Sequence, residues 1–547
     1  MIYNSVSNLI FSNGLVTLFL LVLIIMALAA YVHVKYYVHD KRFMDLASRI
    51  PGPRWYPFIG TAYVFDRDVK ENMKNIVQLT TVYPNVSRHW IGPLLYICIQ
   101  DPKDIEKVLS NNSLIWKSDA YDFLKTNLGN GLLTGSGEEW KRHRKVLRPT
   151  FSFQILENYL SVFNDRYRIL SEVLESEMDK GIIDAYPYLL NCINDVMFET
   201  LLSTERNEQV QLKGSTSYFA QCVVEASRIC LSRMFKPWLY SDTMFALSSK
   251  GRLHDKYKSF FEKNVKEVID RKRNERELEQ KKAKNEEIGD KKVVGFLDYI
   301  LDHFEEMNFS DEDLMTETST IAATATDTTP VTIAMMLAVL SRRFDIQKKL
   351  VEEIDQVMGS LEDKPLTFED LQNLTYLDRV LKETMRVLPI VPYIARKVTE
   401  EIDLPSGYKI PMGCSVFLPF LRLHRNPDCF PNPEIFDPDN FLQERISARS
   451  SYSYCPFSAG VRDCIGKKFA IYQVKISIVY IIRKFWIIPS DRKIFLESKL
   501  NLNPCDGIYV GFQKRTPARP KVPGMERMSK GLETNMEYLD VLFKNSY

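Results

Sequence analysis

The sequence predicts a mainly α-helical protein with a minor β-sheet region, preceded by a single N-terminal transmembrane helix. Three observations carry that reading. Residues 15–34, LVTLFLLVLIIMALAAYVHV, contain no Asp, Glu, Lys or Arg, and a helix of that length spans about 30 Å, the bilayer core. Charged, amphipathic segments dominate up to about residue 390, with cap signals at Ser310…Asp313 and Thr367…Asp370. Beyond 390, VTEEIDLPSGYKIPMGCSVFLPF turns β- and turn-like.

Taken in order, residues 1–34 read as a luminal N-terminus and anchor. Residues 1–14 lack Lys and Arg, whereas Lys35, Lys41, Arg42, Arg49 and Arg54 follow the apolar run. The positive-inside rule then places the rest of the chain in the cytoplasm. A cleaved signal would need a basic start and a shorter apolar run. Residues 35–57 form a basic linker and a hinge stiffened by Pro51, Pro53 and Pro57. Residues 88–99 predict a strand pair turning at Gly92-Pro93. The charge run 271–287 predicts a solvated helix end or surface loop.

The long helix opening at Ser310 should run for about 48 Å, enough to cross a domain. Its centre, Ile321 to Thr329, is small and hydroxyl-rich, which keeps large side chains away from something there. Pro330 has no N–H for the Thr326 carbonyl, so a local opening or kink is expected. Helices at 344–358 and 367–373 follow, then YLDRVLKETMRVLP.

Composition narrows function. With 72 basic and 70 acidic residues the net charge is 72 − 70 = +2, which excludes holding nucleic acid by bulk electrostatics. At 45% apolar and 26% charged residues, the chain is neither disordered nor a multi-span membrane protein. Nine cysteines show no close C-x-x-C pair, which suggests neither a zinc site nor a disulfide framework. A reducing compartment follows, where a special cysteine is special for its thiolate.

The strongest motif is PFSAGVRDCIGKKFA, in which Phe457, Gly460, Arg462, Cys464 and Gly466 fit F-x-x-G-x-R-x-C-x-G. Random composition yields that match about once in 10,000 such chains. Glycines let the backbone wrap closely and aim N–H groups at a sulfur. Arg462 and the start of the helix that follows, over Phe469 to Ile482, favour a thiolate.

With these residues the chain resembles a cytochrome P-450, a heme-thiolate monooxygenase, from the anchor to about residue 515. The resemblance implies the cytochrome P-450 fold over a catalytic domain at 58–522, followed by a tail at 523–547. It implies non-covalent heme b with Cys464 as axial thiolate and metal ligand, and Phe457 packed beside it. Glu383 and Arg386 in KETMR resemble the structural E-x-x-R pair, with Asn440 standing where an arginine is usual. Trp140 and Arg144 resemble W-x-x-x-R, and with Arg396 and Arg462 they would meet the heme propionates. Asp327 and Thr328 match the acid–alcohol pair, with Thr328 holding a hydrogen bond in the pocket and Asp327 relaying protons.

The implied partners are O2, NADPH-cytochrome P-450 reductase, with cytochrome b5 a further candidate, and a lipophilic substrate such as a fatty acid, terpenoid or xenobiotic. The implied location is the endoplasmic reticulum membrane. Lys141, Arg142, Lys145, Arg148, Lys467 and Lys468 suggest a basic face for an acidic donor. Trp116, Tyr121, Phe123, Val391 and Ile394 are the expected substrate lining. Spacing resembles family four and its insect relatives, except that TATDTT stands where E-G-H-D-T-T is typical. Thr324 therefore cannot form the glutamyl ester to heme. A heme-thiolate isomerase or dehydratase, and a membrane-anchored lipid-binding protein without turnover, are the alternatives that substrate-dependent NADPH consumption separates.

Overall fold

The computed structural model describes residues 16–24, 26, 40–56, 59–65, 69–283, 295–359, 364–498 and 501–516. The expected anchor lies largely outside them; its residues 16–24 and 26 are helical and exposed. The tail at 523–547 lies outside them entirely.

In chain order the elements that position the site are strands β1 (Val86–Ile91) and β2 (Leu94–Ile99), helix α1 (Gly137–Leu147), strand β3 (Ile182–Asp184) and helices α2 (Tyr186–Thr200), α3 (Tyr218–Met234), α4 (Ser249–Ala283), α5 (Asp311–Arg342), α6 (Phe344–Met358) and α7 (Thr375–Val387). Strands β4 (Ile394–Lys397) and β5 (Ser415–Leu418), helix α8 (Lys467–Lys484) and strands β6 (Phe485–Pro489), β7 (Leu496–Ser498), β8 (Leu502–Pro504) and β9 (Tyr509–Lys514) complete the set. The mainly helical expectation and the strand pair at Gly92-Pro93 both hold. The charge run at 271–287 falls on the last turns of α4 as far as Ala283.

Among the described residues three cores result. The largest packs α2, α5, α6, α7 and α8 around each other. The second lies under a four-stranded sheet of order β1-β2-β5-β4, where β2 and β5 run parallel and the other pairs antiparallel. The smallest gathers Ala62, Ile91, Tyr96, Phe123 and Met234. A three-stranded sheet, β3-β9-β6, ties the end of the described chain to its middle.

Helix α5 begins as its cap predicts: Ser310 Oγ accepts from Asp313 N at 3.1 Å, and Asp313 Oδ2 accepts from Ser310 N at 2.9 Å. It is long and apolar enough to cross a membrane, yet 83% of its apolar stretch is buried in the protein. It is the spine of the core. The expected opening at Pro330 does not break it, because the helix runs unbroken to Arg342. Val331 and Ile333 to Leu340 are fully buried, and that packing outweighs one lost hydrogen bond, worth about 1 kcal/mol.

Candidate active site

Between α5 and the loop that leads into α8 lies a cavity of about 340 Å³. Asp327, Thr328, Trp140, Arg144, Arg396, Phe457, Arg462 and Cys464 all line it. Residues spread over more than 300 positions are thus brought to one space.

The cysteine loop owes its shape to Gly460, whose φ is +73°; a Cβ there would sit 2.0 Å from the Leu109 carbonyl oxygen. Cys464 N donates to Phe457 O at 3.0 Å, which folds Phe457 back beside the cysteine. The Cys464 side chain is exposed, and what it is exposed to is the cavity. Its thiol pKa is raised, because burial outweighs the Gly466 N–H and Arg144 that pull it down. The loop N–H and an arginine do favour the thiolate, as expected, and the arginine that does so is Arg144. They supply the favourable groups, and a bound cation is what deprotonates a coordinating thiol outright.

On the α5 wall the hydroxyls form a ladder. Thr324 Oγ1 donates to Thr320 O at 2.8 Å, Thr328 Oγ1 to Thr324 O at 2.9 Å and Thr332 Oγ1 to Thr328 O at 3.2 Å. Their protons are engaged on the helix, leaving oxygen lone pairs as acceptors. Asp327 is buried, and its Oδ2 accepts from Asn501 Nδ2 at 2.7 Å. Asn501 precedes β8 and was not singled out by the sequence.

One side of the cavity is cationic. Arg462 donates from NH1 to the carbonyls of Ile115 and Gly135, each at 2.7 Å, and from NH2 to Leu132 O at 3.2 Å. Its guanidinium lies 4.1 Å over the Trp140 ring. Burial, with Arg396 nearby, pulls its pKa down to about 9. The Trp140 indole N–H donates to Leu132 O at 3.1 Å, so this ring serves as a platform for Arg462. Arg144 pairs with Asp463 at 2.6 Å. Arg396, on β4, is buried and bonded to Tyr121.

Two further features escaped the sequence. Lys117 lines the cavity, its Nζ 4.2 Å over the Tyr121 ring. His143 Nδ1 lies 2.7 Å from Glu317 Oε1, with both side chains buried, which pins α1 to α5 one turn from Trp140.

Of the expected substrate lining, Tyr121, Val391 and Ile394 face the cavity, while Trp116 and Phe123 do not. Lys117 pairs with Arg396 in an antiparallel bridge, and side chains alternate along an extended strand. That register turns Trp116 outward over Gly137, and it is 46% exposed. Phe123 packs instead on Tyr240, with ring centroids 5.1 Å apart. The basic face also loses a member. Lys141, Lys145, Arg148, Lys467 and Lys468 are exposed, but Arg142 turns in to the carbonyls of Met307 and Asn308.

The Glu383–Arg386 pair lies away from the cavity. Arg386 donates from Nε and NH2 to the two carboxylate oxygens at 2.7 and 2.8 Å. It also donates to the carbonyls of His424, Pro433 and Ile435. Glu383 Oε1 accepts from Asp437 N at 2.7 Å and from Asn440 Nδ2 at 3.3 Å. Asn440 thus makes the uncharged contact expected of it. Arg449 donates to Asn440 O at 2.8 Å and lies 4.5 Å over Phe430 and 4.9 Å over Phe441.

A family model described as Cytochrome P450 matches residues 50–508. Cytochrome P450 4c3 of Drosophila melanogaster is 32% identical, over 88% of this chain and 92% of its own length. Cytochrome P450 4V2 of Homo sapiens is 33% identical over 84% and 89%, and cytochrome P450 4c21 of Blattella germanica 34% over 86% and 93%. Among solved structures, the cytochrome P450DA heme domain superposes with a TM-score of 0.72 at 21% identity, over 86% of this chain and 98% of that one, a likeness of fold.

Proposed function

The chain belongs to the cytochrome P450 family, heme-thiolate monooxygenases that carry heme b, and from that premise we propose that Cys464 is the iron ligand and that the substrate is a lipophilic small molecule. The observation that carries it is Cys464 facing a cavity whose far wall holds Asp327 and Thr328. The residues fit the cofactor: one sulfur open to the cavity, apolar side chains such as Leu128, Ile390 and Phe469, and cations at one edge for two carboxylates. When bound, heme supplies oxygen binding and its two-electron activation.

The chain's own residues do the rest. The Gly466 N–H bonds the sulfur and tempers its charge. The Thr328 oxygen, its proton held by the Thr324 carbonyl, accepts a hydrogen bond from whatever occupies the cavity beside it. Asp327, fixed by Asn501, stores and hands on a proton one residue away. Thr324 replaces the glutamate of the family-four pattern with a hydroxyl turned to its own helix, which supports non-covalent heme and a broader site of attack than a chain end. The apolar lining, with Leu124, Leu231, Met234 and Val391, excludes water and selects lipophilic molecules. Electrons come from an NADPH-cytochrome P-450 reductase, with cytochrome b5 as accessory donor, docking on the exposed lysines of the basic face. The apolar run and the charges behind it support an anchor in the endoplasmic reticulum membrane with the catalytic domain in the cytoplasm.

The test is the reduced, carbon-monoxide difference spectrum of the expressed membrane fraction beside that of Cys464→Ala. A strongly red-shifted Soret band in the parent alone is expected. The same band in the variant would remove Cys464 as ligand.

A further inference from the structure

On the cavity wall formed by α5, Thr320, Thr324, Thr328 and Thr332 recur every fourth residue and so share one face of the helix. Thr324 and Thr328 are half-buried, whereas Thr326, Asp327 and Thr329 around them are buried. What the pair is open to is the cavity. The Thr324 proton is committed to its own helix, shared between Thr320 O at 2.8 Å and Ile321 O at 3.3 Å. The Thr328 proton is committed to Thr324 O. Both oxygens therefore meet a ligand as acceptors. Thr320 Oγ1, at the head of the ladder, faces Gly131, where a Cβ would lie 2.7 Å from it. Helix α3 brings Ser227, Cys230, Leu231 and Met234 to the same cavity. This arm carries no cation among the described residues. Burial pushes the Cys230 thiol up to about 11, and the Asp327 carboxyl is taken by Asn501. The basic residues of the lining stand together at the other edge: Lys117 is paired with Arg396, Arg396 lies near Arg462, and Arg144 is bonded to Asp463 beside Cys464.

A carboxylate has only acceptors to offer, and in this arm it would exchange water for threonine lone pairs with no cation to answer it. An ester or ether is neutral but gains no hydrogen bond from those oxygens. A hydroxyl is neutral and donates. We propose that Thr324 is a specificity-determining residue whose oxygen accepts a hydrogen bond from the hydroxyl of a neutral lipophilic alcohol, and that such alcohols, not free fatty acids, are the substrate class. The inference rests on the heme-thiolate reading of the site and narrows its lipophilic substrate. Thr324 is favoured over Thr328 for this contact because it lies one turn nearer the start of α5, away from Asp327.

The experiment uses the full-length holoenzyme, with Thr324→Val and Thr324→Ser beside the parent. The probes are dodecanol, undecyl methyl ether with the same atoms but no donor, and ionised laurate. Affinities are read from the spin-state absorbance shift, or by equilibrium dialysis for a probe that leaves the spectrum unchanged. Heme content and the carbon-monoxide band are recorded for each protein. The parent should bind dodecanol about fivefold more tightly than the ether, the effect of one neutral hydrogen bond, and laurate more weakly than either. Thr324→Val, which keeps the shape and removes the hydroxyl, should bring alcohol and ether to equal affinity. Thr324→Ser should keep the preference. Tighter binding of laurate than of dodecanol by the parent would overturn the proposal, because it requires a cation in the arm. So would a parent that does not distinguish alcohol from ether, a comparison that needs no variant. An alcohol preference that persists in Thr324→Val would also overturn it, moving the contact to another hydroxyl such as Ser227. If Thr324→Val holds no heme, Thr324→Ala answers the same question. A parent without the red-shifted carbon-monoxide band would instead remove the heme-thiolate reading itself.

Discussion

The protein contains two groups of buried charge that differ in one respect. Around Arg386 every donor has a protein acceptor: both oxygens of Glu383 and three backbone carbonyls. Around Arg396, Lys117 and Arg462, cations converge on a cavity and the nearby carboxylates look elsewhere. The closed group is a structural joint between α7 and the segment 424–440. The open group has backbone carbonyls and aromatic rings as partners but no paired carboxylate, so its charge faces the cavity. Buried charge alone does not mark a site; buried charge without a counter-ion at a cavity does.

Breaking the closed group should have the largest effect. Glu383→Gln leaves a buried guanidinium without its anion, a change that costs about 3–5 kcal/mol. Little folded protein of any kind, with heme or without, is expected on size-exclusion chromatography. Breaking the open group should spare the fold. Arg396→Met should weaken heme binding by about 1.5–3 kcal/mol, the range for a hydrogen bond to a charged group. The apoprotein's thermal midpoint should stay level or rise, which differential scanning calorimetry reads directly.

Acid should act on histidines that do not line the cavity. Burial pulls the His89 pKa down to about 4, and His424, whose Nε2 accepts from Cys455 N at 2.9 Å, to about 3. A depressed histidine contributes its stability fully above its unfolded pKa of about 6.5, and that stability drains as pH falls toward the folded value. By pH 5 His89 alone should cost about 2 kcal/mol. The midpoint of denaturant unfolding should drop between pH 7.5 and 5, and His89→Gln should flatten that slope. The smallest effect belongs to Asn440→Ala, about 1.5 kcal/mol, the low end for a hydrogen bond to a charged group because the contact is long at 3.3 Å. Arg449, which feels the Glu383 charge and stacks on two rings, holds the joint without it. Heme content should be unchanged in that variant, and a large loss would show that the closed group is less complete than its bonds suggest.

What could be read from the sequence divides along a similar line. Helix α5 was legible because its cap, its small residues and its hydroxyls are local. The cysteine loop was legible because glycine, arginine and cysteine at fixed spacing are needed to turn a chain around a sulfur. Lys117 was not, because only pairing with a strand far along the chain tells which way it points. The same register turned Trp116 out, against expectation. His143 and Glu317 belong to no motif that links them, and from two separate helices they form one buried contact. Pro330 reads as a breaker, and only the surrounding core shows why it is tolerated. The thiol of Cys464 illustrates the remaining limit, since spacing names the stabilising groups but not the burial that opposes them.

The pairing of β3 with β9, Ile183 against Val510, has a consequence for biogenesis. The ribosome delivers residue 183 long before residue 510, and Asp327 before its Asn501 partner. At about 5–20 residues per second the interval is tens of seconds. During it β3 lacks β9 and Asp327 lacks Asn501, so the cavity, which Asn501 lines, is complete only once that part of the chain has been made.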